Sequence, residues 1–131
     1  MSLRAVAVFP LIKSDDLAAF KVIAKEMLCE IEKVDFITGY DMFFNVDETR
    51  CVVLEEYSDA SGVIEHVKRH SHFLEKLTAL GGEIHGQMFP VDIEDENLRN
   101  IRESWSSVMH QHFAGKKNPD SLERPGFSPT K

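Results

Sequence analysis

The chain has 131 residues, of which 43% are hydrophobic, and a formal net charge of −7. This length predicts one domain with a substantial core. The acidic balance argues against a nucleic-acid partner and against an anionic membrane, because both require a basic face. Cys29 and Cys51 fit no zinc or redox spacing, so we interpret both as small core residues of a reducing, cytoplasmic compartment. The apolar start of the chain is too short for a signal peptide, and no run is long enough to span a membrane.

The first half of the sequence predicts a strand, a helix and a hairpin. Residues 4–9 form a short apolar run that is typical of a strand. Ser14 is the expected N-cap of an amphipathic helix over residues 15–33, whose apolar side chains recur at intervals of three and four. Residues 36–45 and 51–57 then predict two strands joined by a turn.

The second half of the sequence predicts another helix, a fourth strand and an extension. After a polar turn, residues 63–80 have helical spacing, and two glycines end that helix. Residues 83–91 predict the fourth strand, so the element order is βαββαβ, the ferredoxin-like α+β arrangement with an antiparallel sheet. Residues 95–113 predict an extra C-terminal helix with Trp105 on its apolar stripe.

The chain is therefore predicted to have three parts. They are a domain over residues 1–93, a helical extension over residues 94–113 and a flexible tail over residues 114–131, where the sequence is polar and interrupted by prolines.

The predicted hairpin has large side chains on both of its faces. Tyr40, Met42 and Phe44 share one face, and Phe43 lies on the other. Helices in this arrangement cover one face of the sheet, which would leave an apolar face bare. We expect a second copy of the chain to cover it, so the sequence predicts a homodimer with two facing sheets.

Three histidines of the second helix differ in their expected surroundings. On a helical wheel, His70 lies at the centre of an apolar stripe, His66 lies towards its edge and His72 points to solvent. An imidazole on such a stripe can be a general base or a ligand donor, or it can be a buried histidine satisfied by a hydrogen bond. Both interpretations stay open at this point.

Glu55 and Tyr57 are predicted to project from one face of their strand, towards that helix. Together with the imidazoles they would form a small polar site in an apolar pocket. The alternative is a solvated Glu55 and a Tyr57 that only fills the core. His66 and His70 also have a spacing at which two imidazoles can share a metal, with a third ligand from Glu55 or His85, but the sequence has no HExxH motif and we predict no metal.

The segment over residues 51–80 resembles the antibiotic biosynthesis monooxygenase family of the dimeric α/β-barrel superfamily. The residues that carry this resemblance are Glu55, Tyr57, Asp59 and His66, at the spacing of the family pattern. A His-aromatic pair also follows the first histidine, here six residues on instead of five. The resemblance covers roughly residues 4–93.

The resemblance implies a cofactor-independent monooxygenase acting on a small phenol-like or quinol-like aromatic substrate, which requires neither flavin nor metal. Some members of the superfamily bind haem, and no residue of this sequence indicates it. His70 or His66 would be the base, Glu55 would orient it and Tyr57 would hold a substrate oxygen. The alternatives are a non-catalytic module of the same superfamily that binds a small apolar ligand or serves in a stress response, and an isomerase or degradative enzyme. The expected site consists of catalytic His70, His66 and Glu55 with substrate-binding Tyr57, Phe73 and Tyr40.

Overall fold

The computed structural model describes residues 3–91, 96–104 and 107–116. Within these ranges the elements follow one another as β1 (Leu3–Phe9), α1 (Leu17–Ile31), β2 (Ile37–Phe44), β3 (Cys51–Tyr57), α2 (Ala60–Gly81), β4 (His85–Phe89), α3 (Glu96–Ser104) and β5 (Ser107–Met109). No helix in this part of the chain is long and apolar enough to cross a membrane.

The strands form one sheet in the order β2-β3-β1-β4-β5. The first four strands pair antiparallel, with β1 between β3 and β4, whereas β5 runs parallel to β4. This order confirms the predicted ferredoxin-like α+β fold. The sheet is open in the single chain, so a barrel would require a second sheet.

The core lies between the sheet and the first two helices. On α1 the buried side chains are those of Phe20, Ala24, Met27 and Ile31, which recur at helical spacing and therefore share one face. The ring of Phe20 packs edge to face on Phe9 of β1, with 5.2 Å between ring centroids. These contacts attach α1 to the centre of the sheet.

Two details of α1 differ from the sequence-based expectation. Ser14 is not the N-cap of this helix, because residues Ser14–Asp16 form a separate 3-10 turn in which the Asp16 backbone N–H donates to Lys13 O at 2.9 Å. Cys51 is buried as expected, but Cys29 is exposed. Cys29 lies two positions after the buried Met27, which is more than half a turn away from the core-facing stripe.

The segment after β4 is only partly helical, so the prediction of a helix over residues 95–113 is wrong in its second half. The helix α3 ends at Ser104, and Ser107–Met109 then pairs with the exposed edge of β4. This pairing gives hydrogen-bond partners to backbone N–H and C=O groups at the edge of β4. A continued helix would have left these groups without partners in the sheet. Trp105 lies outside the described residues, as does most of the predicted tail, from residue 117 onward.

The sheet face away from α1 and α2 carries large apolar side chains. Phe43 is 52% exposed, Leu54 is 47% exposed and Phe89 is 37% exposed. The imidazole of His110 stacks on the ring of Phe89, at 4.7 Å between ring centroids. The chain segment after β5 therefore covers one end of this face and leaves Phe43 and Leu54 accessible.

Candidate functional site

A cavity of about 290 Å³ lies between the sheet and α2. Its walls are mostly apolar and come from β1, α2 and β4, with Ala5, Val63 and Met88 among the lining residues. Four of the polar side chains that line it come from three elements. These side chains are Tyr40 of β2, Glu55 and Tyr57 of β3 and His66 of α2. An apolar chamber with a few converging polar groups is the usual form of a small-molecule site.

The strand register brings the polar groups of β2 and β3 together. Tyr40 lies directly opposite Glu55 in the antiparallel pair, and Tyr57 follows two residues later on the same face. The Tyr57 hydroxyl donates a hydrogen bond to Glu55 Oε1. Because the Tyr57 side chain is fully buried, this bond fixes the carboxyl group against the cavity wall.

The start of α2 sets the position of His66. The Asp59 side chain caps the helix by accepting a hydrogen bond from the Ser61 backbone N–H at 2.9 Å. Gly62 allows the first turn to approach the sheet closely, since a Cβ atom there would lie 3.1 Å from Phe36 O and 3.2 Å from Tyr57 Cδ1. This close approach places His66, one turn later, beside Tyr40 and Tyr57.

His66 contacts groups on both sides of its ring. Its Nε2 atom lies 3.4 Å from the Tyr40 hydroxyl, and its Nδ1 atom lies 2.8 Å from His70 Nδ1. Both imidazoles are 3% exposed. His70 has non-helical backbone angles, φ −112° and ψ 16°, so α2 is kinked at this residue.

Burial shifts the protonation equilibria of the cavity. It raises the pKa of Glu55 from 4.5 to about 7, although the hydrogen bond from Tyr57 acts in the opposite direction. Glu55 borders the cavity and is only partly buried, but the surrounding protein still removes much of its hydration. At neutral pH the site therefore holds a carboxyl group that can both release and accept a proton.

The other polar groups of the cavity are neutral at the same pH. Burial, and then the neighbouring His70, lowers the pKa of His66 from 6.5 to about 3. Burial raises the pKa of Tyr40 and of Tyr57 well above 10.0, and the nearby Glu55 adds to both shifts. His66 is therefore a weak base in this structure, and the two phenols keep their protons.

The structure brings together four of the six residues expected at the site, namely Tyr40, Glu55, Tyr57 and His66. The other two, His70 and Phe73, line a different hollow between α1 and α2, where His72 is exposed. Glu55 was expected to orient a histidine, and the structure shows a different arrangement. Glu55 accepts a hydrogen bond from Tyr57, and the hydroxyl group beside His66 belongs to Tyr40.

Ser107 also lines the cavity, and the sequence did not indicate it. Residue 107 fell inside a predicted helix, and its position depends on the pairing of β5 with β4. Within the described ranges, no group of three or more His, Cys, Asp and Glu side chains is arranged to hold a metal ion.

Comparison with known proteins gives matches among solved structures. No protein-family model matches the chain, and no curated protein matches it. MupZ from Pseudomonas fluorescens superposes with a TM-score of 0.80 at 19% identity, over 92% of this chain and 98% of MupZ. Rv0793 from Mycobacterium tuberculosis gives a TM-score of 0.61 at 17% identity, over 72% and 100% of the two chains. A structure named antibiotic biosynthesis monooxygenase gives 0.61 at 15% identity, over 68% and 97%.

At these identities the similarity establishes the fold. The chain has the ferredoxin-like α+β fold of antibiotic biosynthesis monooxygenase structures, and the predicted resemblance is thereby confirmed at the level of the fold. The match with MupZ covers 92% of this chain, whereas β4 ends at Phe89. The match therefore includes part of the segment that follows β4.

Proposed function

We propose that this chain is an acid–base enzyme that binds a small phenol or quinol in the cavity beneath α2 and oxygenates it without a cofactor. The observation that carries the proposal is Glu55, a carboxyl group with a pKa of about 7 on the wall of an apolar cavity of about 290 Å³. A base works best when its pKa lies near the working pH. The cavity volume lies at the lower end of the range for ligand pockets and suits a small substrate.

Glu55 is the base in this proposal, in place of the histidines suggested by the sequence. The pKa of His66 is too low for it to hold a substrate proton for long near neutral pH. Tyr57 fixes the carboxyl group through its hydrogen bond, and Tyr40 faces Glu55 across the strand pair. Tyr40 and the neutral His66 are then available to donate hydrogen bonds to an oxyanion that develops on the substrate.

The reaction begins when Glu55 takes the phenolic proton of the substrate. The electron-rich phenolate can then reduce dioxygen and form a carbon–oxygen bond at a ring carbon. The oxygen–oxygen bond breaks next, so one oxygen atom stays on the ring as a carbonyl and the other leaves as water. Phenol and dioxygen thus give quinone and water, with dioxygen as the oxidant and the ring as the reductant. An apolar cavity favours this sequence, since it excludes water from the reactive intermediate.

A homodimer is part of the same proposal. The accessible side chains of Phe43 and Leu54 on the outer sheet face support it, since monomeric proteins rarely expose a contiguous apolar patch of large size. Pairing of two such faces would cover these side chains and close the two open sheets on each other.

Oxygen consumption with a panel of phenols and quinols tests the proposed reaction. We expect the wild-type protein to consume dioxygen with at least one member and to place one labelled oxygen atom in the quinone when ¹⁸O₂ is supplied. The matched control is Glu55→Gln, which keeps an oxygen that can accept the hydrogen bond from Tyr57 but cannot take a proton. Ligand binding to both proteins without oxygen consumption by either would favour a non-catalytic binding module and would contradict the proposal.

A further inference from the structure

The cavity beneath α2 has polar side chains at two ends that lie far apart in the sheet. Tyr40 and Glu55 belong to β2 and β3, whereas Ser107 belongs to β5. In the order β2-β3-β1-β4-β5, two strands separate β3 from β5. At about 4.8 Å for each step between neighbouring strands, the backbones of β3 and β5 lie about 14 Å apart.

The residues between these two ends are small or apolar. Ala7 of β1 lies opposite Gly86 of β4, and Gly86 lies opposite Ser107 of β5. Residues that lie opposite one another share a face of the sheet, and here this is the face towards the cavity. Val63 and Leu74 of α2 line the other side of the cavity. Alanine and glycine leave space above β1 and β4, so a flat apolar body can lie between the polar ends.

The side chain of Ser107 leans over β4 into this space. Its neighbour Val108 is 57% exposed on the opposite face, in keeping with the alternation of a strand. A Cβ atom on Gly86 would lie 3.0 Å from Ser107 Oγ, closer than an ordinary van der Waals contact. The Ser107 hydroxyl is not fully buried and has no hydrogen-bond partner among the described residues. It is therefore available to a ligand that occupies the cavity.

We propose that Ser107 is a specificity-determining residue, which binds an oxygen atom at the far end of an elongated phenolic substrate. The inference rests on the proposed function, because the reacting hydroxyl of that substrate lies at Glu55. A serine hydroxyl can both donate and accept a hydrogen bond, so the far oxygen can belong to a hydroxyl or to a carbonyl group. The substrate class is thereby narrowed from any small phenol to a phenol with a second oxygen at its opposite end.

The separation of the two ends sets the length of this substrate. Side chains stand roughly perpendicular to a sheet, so those of Glu55 and Ser107 close little of the distance between β3 and β5. A single ring with a hydroxyl at each end, extended by two hydrogen bonds of about 3 Å each, is shorter than that distance. We therefore expect two aromatic rings in line to bind both ends, and a single ring to bind only one.

Binding of matched ligand pairs without oxygen tests this assignment independently of turnover. The long pair is 4-phenylphenol and 4,4′-dihydroxybiphenyl, which differ only in the far hydroxyl, and the short pair is phenol and hydroquinone. Isothermal titration calorimetry gives the ratio of affinities within each pair. We expect Ser107→Ala to lower this ratio about threefold to tenfold for the long pair, the range of one hydrogen bond, and to leave it unchanged for the short pair.

Two further variants separate recognition from packing. Ser71→Ala, at an exposed position on α2, is the matched control and should leave both ratios unchanged. Gly86→Ala keeps the serine but places a Cβ atom against its Oγ, so it should also lower the ratio of the long pair. If Ser107 only stabilised the cavity, its replacement would change the affinities of both members of a pair equally, and the ratio would stay the same.

An unchanged long-pair ratio in Ser107→Ala would overturn the inference, as would a wild type that binds both members of the long pair equally well. An equal fall in the short-pair ratio would contradict the proposed length of the substrate. If Ser107→Ala is poorly folded, the long-pair ratio in Gly86→Ala decides in the same way. A wild type that shows the expected ratios but consumes no oxygen would contradict the proposed function and leave this inference intact.

Discussion

Replacing Glu55 by glutamine should remove a specific pH dependence from the free energy of unfolding. Burial raises the pKa of Glu55 from 4.5 to about 7. At about 1.4 kcal/mol for each pH unit, this difference corresponds to about 3 kcal/mol. The folded protein holds the Glu55 proton more tightly than the unfolded chain does. The contribution to stability is therefore fully present below pH 4.5 and is lost as the pH rises through about 7.

His66 contributes to the pH dependence of the free energy of unfolding with the opposite sign, so its contribution has to be separated from that of Glu55. Its pKa is lowered from 6.5 to about 3, so its contribution is present above pH 6.5 and is lost as the pH falls. Wild type and Glu55→Gln should therefore be compared at each pH, because the contribution of His66 is common to both and cancels in the difference. Glutamine also keeps an acceptor for the Tyr57 hydroxyl.

Urea denaturation followed by circular dichroism measures this difference. We expect the free energy of unfolding of wild type, relative to the variant, to fall by about 3 kcal/mol in total, with most of the fall between pH 4.5 and about 7. A difference that stays constant across this range would show that the Glu55 carboxyl group titrates as it does in water. The reasoning about an acid–base group in the cavity would then be refuted.

Three further substitutions, two of them with a control substitution, test the dimer and the packing. Light scattering should give about twice the chain mass of 14.9 kDa for the wild type. Phe43→Asp should reduce this mass to that of the monomer, whereas Val22→Asp, at an exposed position on α1, should not. A monomeric wild type would contradict the proposed dimer. Gly81→Ala should destabilise by about 1–3 kcal/mol in urea denaturation, because its Cβ would lie 2.8 Å from a ring carbon of α1. Gly39→Ala, whose nearest contact is 3.4 Å, should cost less, and equal losses would refute this packing argument. Ile101→Ala should cost about 2–5 kcal/mol if α3 is part of the core, and an unchanged melting curve would show that α3 is dispensable.

Hydrophobic periodicity was sufficient to predict the βαββαβ order. The alternation in β2 predicted that Tyr40 shares a face with Met42 and Phe44, and the alternation in β3 predicted that Glu55 shares a face with Tyr57. The strand register shows that these two faces lie on the same side of the sheet. Such patterns are local, because they follow from the repeat of a strand or a helix. They do not report which edges of the sheet remain unpaired, so residues 107–109 were assigned to a helix although they pair with β4.

The sequence also could not predict which histidine of α2 faces the cavity, and the physical reason is a different one. A helical wheel assumes an unbroken rotation of 100° per residue, and α2 is kinked at His70. The kink and the close approach at Gly62 depend on tertiary packing against the sheet. As a result His66 faces the cavity, while His70 lies behind it, at the hollow between α1 and α2.

The central claim is that Glu55 transfers the proton of a substrate bound beneath α2. The pH dependence of kcat/KM, measured with the most rapidly oxidised phenol or quinol of the panel, tests it most directly. We expect kcat/KM to rise with pH through an apparent pKa of about 7, as Glu55 becomes ionised. We also expect Glu55→Gln to lose roughly 10²–10⁴-fold in activity and to lose this pH dependence. A Glu55→Gln protein with the rate and the pH profile of the wild type would contradict the claim.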